Sequence, residues 1–187
     1  MLLDIGVGII LGTIFDSATD TYSLMSLVGF GIFATLSPDL DFLFHLLRGG
    51  NSRNDQRHRE VLHKPYFLLI GWLGFALLTS PVLAWLFVAG ALSHFIHDSI
   101  GIGWGVQWLA PFKTDHFTFL YRVHTAQKPK PPKRAIYIWP NAQIDELNQR
   151  YGDEEWFRNT YIKWHPFARV ELMVFVLSLV ILYVYTS

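Results

Sequence analysis

The chain has 187 residues, of which 51% are hydrophobic and 16% charged, with a formal net charge of zero and no cysteine. A soluble domain carries about 25% charged residues, so the composition argues against a water-soluble protein and indicates one membrane-embedded, all-α domain over residues 1–187. The lack of cysteine excludes disulfides and thiolate metal sites, and the neutral charge gives no direct signal for nucleic acid.

The first apolar runs predict two helices. Residues 5–15 contain Gly8 and Gly12, whose spacing places both on one helix face and suits either close helix contact or ordinary packing. No basic region precedes this run, so it does not resemble a secretory signal. A second run over 24–36 ends at Ser37-Pro38, which predicts the start of a new helix.

A long apolar stretch runs from Pro65 to about Ile96. As one helix it would be about 48 Å long, which is too long for one crossing of a bilayer core of about 30 Å and too short for two. The sequence Thr79-Ser80-Pro81 predicts a break at its middle. We therefore expect a broken hairpin of two short helices with both ends on one side of the membrane, and no sheet in the chain.

The remainder, residues 121–165, is a polar interfacial segment followed by a C-terminal membrane helix over 170–185. Its Pro-rich basic loop, 128–134, has no periodicity, which favours a solvated linker over a lipid head-group patch. Asn141 and Asp153 each begin a predicted amphipathic interfacial helix. Because Lys- and Arg-rich loops face the cytoplasm, we expect the polar segments on that side of the inner membrane.

Ionisable residues gather in three clusters beside the apolar runs. Such groups are costly at membrane depth and are read as functional. Asp41 and His45 share a helix face, as do His94 and Asp98, although a helix dipole also accounts for one carboxylate and a hydrogen bond for a structural pair. The clusters are Asp39-Leu-Asp41-Phe-Leu-Phe-His45, His58-Arg-Glu-Val-Leu-His63 and Ser93-His-Phe-Ile-His-Asp98.

The hairpin would bring the second and third clusters together, since they lie at opposite ends of the 65–96 stretch. His and Asp donors without cysteine predict a divalent metal, with zinc favoured and manganese or iron as alternatives. Arg59 lies just before the helix that Pro65 begins, and both a helix N-terminus and a guanidinium suit an anion such as phosphate.

Four motifs occur in order within about residues 1–120. They are Ser37-Pro-Asp-Leu-Asp41, His58-Arg-x-x-x-His63, Leu92-Ser-His-x-x-x-Asp98 and Gly103-Trp-Gly-Val-Gln-Trp-Leu-Ala-Pro-Phe112. Together they resemble the YdjM-like, or DUF457, family of membrane-bound metal-dependent hydrolases. In the first helix, where family members often carry a histidine, the nearest candidate here is Asp4. The resemblance implies the metal-site residues Asp39, Asp41, His58, His63, His94 and Asp98.

The resemblance further implies hydrolysis of a phosphoester, such as a phospholipid, at the inner face of the membrane. Asp39 or Asp98 would orient the attacking water, and Arg59 would hold the phosphoryl oxygens. The glycine-rich segment 99–112 would be adaptable and border the substrate pocket, with Trp104 and Trp108 at the lipid interface.

Two other functions fit the same residues. A non-catalytic metal-binding scaffold would dock a protein partner through residues 128–164. A transporter of divalent metal would require paired full spans, for which the predicted hairpin is too short.

Overall fold

The computed structural model describes residues 1–49, 61–101, 103–120, 133–151, 158 and 166–187. Within these residues the chain is mostly helical, as the composition predicts, with a two-stranded sheet. The predictions for His58, Arg59, residues 128–132 and the helix from Asp153 lie outside the described residues. The elements are α1 (Leu2–Asp16), α2 (Leu24–Leu36), α3 (Leu40–Leu47), α4 (Pro65–Leu78), α5 (Pro81–Asp98), β1 (His116–Phe119), β2 (Ile136–Trp139), α6 (Ile144–Tyr151) and α7 (Pro166–Thr186), with short 3₁₀ turns at Ser37–Asp39 and Asn141–Gln143.

The described chain forms two compact units. One unit contains α1, α2, nearly all of α4, α5 as far as His94, and α7. The other contains α3, the segment before α4, the end of α5, the sheet and α6. Among the described residues, three helical segments are long and apolar enough to cross a membrane, namely Leu24–Leu47, Pro81–Asp98 and Phe167–Thr186.

Helix α1 packs against its neighbours through glycines, as their spacing predicts. A Cβ built on Gly8 would lie 2.6 Å from Ile32 Cα of α2, and one built on Gly12 would also overlap the α2 backbone. Gly6 makes the matching approach to α7, where an added Cβ would lie 2.9 Å from Phe175 Cα. The small residues therefore let helix backbones touch, as in many membrane bundles.

The break predicted near Pro81 is present. Helix α4 ends at Leu78 and α5 begins at Pro81. The two residues between them satisfy backbone groups at the turn: Thr79 Oγ1 donates to the carbonyl four residues earlier at 2.7 Å, and Ser80 Oγ accepts the N–H of Leu83 at 3.3 Å. Hydroxyl side chains thus replace part of the helical hydrogen bonding that the break removes.

Aromatic rings hold the two helices of the hairpin together. The ring of Phe87 in α5 lies between those of Phe67 and Phe75 in α4, with centroids 5.4 and 5.1 Å away. Helix α4 is short, with 14 residues, but α5 has 18 and continues through the third ionisable cluster to Asp98. The hairpin is therefore uneven, with α5 four residues longer than α4.

The expectation of no sheet is wrong. Strand β1 pairs antiparallel with β2, with His116 opposite Trp139. Alternate residues of β2, Tyr137 and Trp139, are buried with Trp104 and with Ile144 of α6. Aromatic and β-branched residues in alternation favour strands, but each strand has only four residues, too short an alternation to predict a strand from the sequence.

The two predicted helix caps are displaced by a few residues. Asp39, rather than Ser37, is the N-cap residue of α3, and Ser37 Oγ donates to the carbonyl of Ala34. Asn141 begins a 3₁₀ turn, and its Oδ1 lies 3.3 Å from His116 Nε2. Ser37 thus bonds to its own preceding turn, whereas Asn141 contacts a strand 25 residues earlier, which local sequence patterns do not reveal.

The glycine contacts predict the effect of adding one methyl group at two matched positions. We expect Gly12→Ala to lower the free energy of unfolding by about 1–3 kcal/mol, because the new Cβ overpacks the contact with α2. Gly29→Ala is the control, since nothing lies within 4 Å of a Cβ there, and it should be neutral or stabilising by up to about 1 kcal/mol. Thermal unfolding in detergent measures both. Equal melting temperatures for the two variants would contradict close packing at Gly12.

Candidate metal centre

Three of the predicted site residues come together. One ligand atom from each of Asp39, His63 and His94 lies within 4.8 Å of the others. Asp39 ends the 3₁₀ turn before α3, His63 precedes α4, and His94 lies in the last turns of α5. Both histidines are buried. Two imidazoles and a carboxylate form a ligand set found at catalytic zinc sites and at other divalent metal centres, so this cluster could hold a metal ion.

The carboxylate of Asp41 contacts the Nδ1 side of the His63 imidazole. Its Nδ1 lies 3.2 Å from Asp41 Oδ2. The same oxygen accepts backbone N–H bonds from Val61, Leu62 and His63 itself, at 3.3, 2.5 and 3.3 Å. The ring is stacked on Phe95 with centroids 5.9 Å apart. With these contacts Asp41 orients His63 so that Nε2 points away from it, as carboxylates do behind metal-binding histidines.

The other side of the His63 ring meets a second carboxylate. Nε2 lies 3.3 Å from Asp98 Oδ2 at the end of α5. If Nδ1 donates its hydrogen to Asp41, Nε2 presents a lone pair to an oxygen that also carries lone pairs. A cation bound at Nε2 would offset this repulsion, with Asp98 beside the metal position.

His94 has an equivalent carboxylate behind it. Its Nδ1 lies 3.2 Å from Asp4 Oδ1, and both side chains are buried. The two residues are far apart in the sequence but lie in α1 and α5 of one unit. Both candidate histidines thus have a carboxylate at Nδ1, the arrangement that raises ligand basicity and selects one tautomer.

The predicted metal-site residues therefore lie in different positions relative to the His63 ring. The three-residue group contains Asp39, His63 and His94, while Asp98 contacts His63 and Asp41 lies on the far side of that ring. The contact between His63 and Asp98 also confirms that the two ends of the hairpin meet. His58 and Arg59 lie outside the described residues.

Asp4 was predicted only as the nearest candidate for the family's first-helix histidine, not as one of the metal-site residues. The signal that could have included it is a carboxylate within an otherwise apolar helix, which is costly at membrane depth unless it has a function. Its partner His94 is 90 residues away, however, and helical periodicity carries no information about such a pair.

The glycine-rich segment has a more definite structure than expected. Gly101, Gly103 and Gly105 adopt φ values of 82°, 79° and 75°, a left-handed conformation that favours glycine. Trp104 is 2% exposed and belongs to the core with the sheet, so its predicted place at the lipid interface is wrong. Trp108 donates from Nε1 to Ser99 Oγ at 2.8 Å. The glycines therefore serve turns that fold the segment onto the sheet.

The contact behind His94 gives a testable prediction. We expect Asp4→Asn to weaken divalent metal binding by about 10–100-fold, because the ring loses the carboxylate that orients it and raises its basicity. Asp20→Asn is the control, since Asp20 is an exposed residue between α1 and α2. Isothermal titration calorimetry of both purified variants with the metal measures the change in affinity. Unchanged affinity in Asp4→Asn would show that the contact is structural only.

Comparison with known proteins places the chain in a family. No curated protein and no solved structure matches it significantly. The profile of the family described as YdjM inner membrane protein matches residues 4–186. The match includes the candidate metal centre and continues through the C-terminal apolar helix, well beyond the four sequence motifs. The protein is therefore a membrane protein that belongs to the YdjM inner membrane protein family.

Proposed function

We propose that this protein is a zinc-dependent hydrolase of phosphoesters at the cytoplasmic face of the inner membrane. The observation that supports it best is the pair of buried histidines, His63 and His94, each with a carboxylate at Nδ1. Such support is typical of metal-binding histidines. Burying these groups in an apolar helical protein is costly, which argues that they have a function.

The ligand set favours a catalytic over a purely structural site. Structural zinc sites are closed by four protein ligands, whereas catalytic sites use three and leave a position open. Asp39, His63 and His94 provide three. When bound, a divalent metal lowers the pKa of water to about 7 and polarises a phosphoryl oxygen.

Asp98 and Arg59 would complete the reaction chemistry. Asp98 lies beside the Nε2 edge of His63, where its carboxylate can orient an attacking water and accept its proton. Arg59 would bind the non-bridging oxygens of the phosphoester through two parallel N–H bonds. Asp39 would act mainly as a metal ligand, and Asp41 would orient the imidazole of His63.

The membrane setting favours a lipid-like substrate. A site within apolar helices is reached more readily by a phosphoester that partitions into the bilayer than by one dissolved in water. The basic loop at residues 128–134 favours the cytoplasmic side, following the distribution of Lys and Arg in membrane proteins.

Metal content provides the first test of this proposal. His63→Ala and His94→Ala should each remove bound zinc, since each deletes one of three ligands. His58→Ala should also lower it if His58 joins the site. His165→Ala is the control, because it precedes Pro166 outside every motif. Elemental analysis of the purified proteins measures the zinc. Equal content in all four variants would mean that the cluster does not bind metal.

Turnover separates an enzyme from a scaffold. Asp98→Asn keeps the side-chain shape but removes the charge, so we expect loss of turnover by about 10²–10⁴-fold, the usual contribution of a general base. Arg59→Ala should raise KM with zinc retained. The assay uses phospholipids and chromogenic phosphoesters, with circular dichroism to verify folding. If the zinc-loaded wild type hydrolyses none of them, a metal-binding scaffold that docks a protein partner through 128–164 replaces the enzyme.

A further inference from the structure

Within the described part of the chain, two buried polar atoms on α3 have no hydrogen-bond partner, namely Asp41 Oδ1 and His45 Nε2. The residues are four apart in the helix, so both side chains project from one face. Asp41 is 2% exposed. Buried polar atoms without partners are few in native proteins, and a bound ion or water is one explanation for them. Two of them on one face, one turn apart, indicate a shared ligand.

The position of α3 makes this lack of partners costly. The helix belongs to the segment Leu24–Leu47, which is long and apolar enough to cross a membrane. Its outer side chains are apolar and exposed, with Leu43 at 51% and Leu47 at 75%. Because hydrocarbon supplies no hydrogen bonds, polar atoms in such a segment must be satisfied within the protein. Asp41 and His45 therefore need a partner on the inner side of α3.

We propose that Asp41 Oδ1 and His45 Nε2 bind a second divalent cation, separate from the one at the candidate metal centre. Asp41 Oδ1 can only accept, and neutral imidazole offers a lone pair at Nε2 when Nδ1 carries the hydrogen. A cation satisfies both atoms at once. One carboxylate oxygen and one imidazole nitrogen suit manganese or zinc, with water completing the coordination.

The two cations would lie on opposite sides of the His63 ring. Asp41 approaches that ring at Nδ1, whereas the first metal position lies at Nε2 beside Asp98. The ions therefore share no ligand atom, unlike the closely spaced pair of two-metal hydrolases. A positive charge on Asp41 would weaken its pull on the Nδ1 hydrogen of His63. Occupancy of the second site should therefore reduce the affinity of the first.

Metal stoichiometry of the full-length protein tests this proposal. The protein in phosphatidylglycerol-containing nanodiscs is stripped with chelator and titrated with Mn²⁺, and bound metal is measured by electron paramagnetic resonance. We expect His45→Leu, which replaces the imidazole with an apolar side chain of similar size, to bind one equivalent fewer than wild type. Leu46→Ala, at an exposed position next to His45, should match wild type. His45→Glu keeps a ligand and should retain the second equivalent.

The outcomes separate this proposal from the proposed function. A folded His45→Leu that binds as much Mn²⁺ as wild type overturns the second site, and water then satisfies the two atoms. His94→Ala reports independently on the first site, because His94 is not a ligand of the second. If His45→Leu fails to fold, a wild-type stoichiometry of one equivalent that His94→Ala abolishes overturns the second site, and two equivalents support it.

Discussion

The candidate site depends on one kind of interaction, the contact between a carboxylate and the Nδ1 atom of each imidazole. In a chain of apolar helices an imidazole has few polar neighbours, so its tautomer and direction are set by whichever group meets Nδ1. Asp41 does this for His63 and Asp4 for His94. Asp41 is itself held by three successive backbone N–H groups. The backbone just before α4 therefore positions Asp41, and Asp41 in turn orients the ring of His63.

Much of the architecture could be predicted from local patterns. The length of the apolar stretch and the position of Pro81 were sufficient to predict the hairpin, since both concern a continuous piece of chain. The same argument predicted that His63 and Asp98 lie near each other. The glycine spacing in α1 likewise indicated which face would meet another helix, because helical periodicity alone determines which residues share a face.

What could not be predicted depends on contacts between distant parts of the chain. The role of Asp4 requires α1 to lie beside α5, and nothing in either segment encodes this. Asp41 and Asp39 look equivalent in the sequence, yet one accepts backbone N–H bonds behind a ring and the other joins the ligand group. The sheet was missed for a related reason, because two four-residue strands become recognisable only once paired.

The shortness of α4 has a consequence for the surrounding lipid. Its 14 residues span about 21 Å, against a hydrocarbon thickness of about 30 Å. If α4 begins at the head-group level, the Thr79–Ser80 turn ends inside the bilayer, where its two hydroxyl hydrogen bonds shield backbone groups from hydrocarbon. This hydrophobic mismatch is relieved where the membrane is thinner. Acyl chain length then becomes a variable that acts on the hairpin.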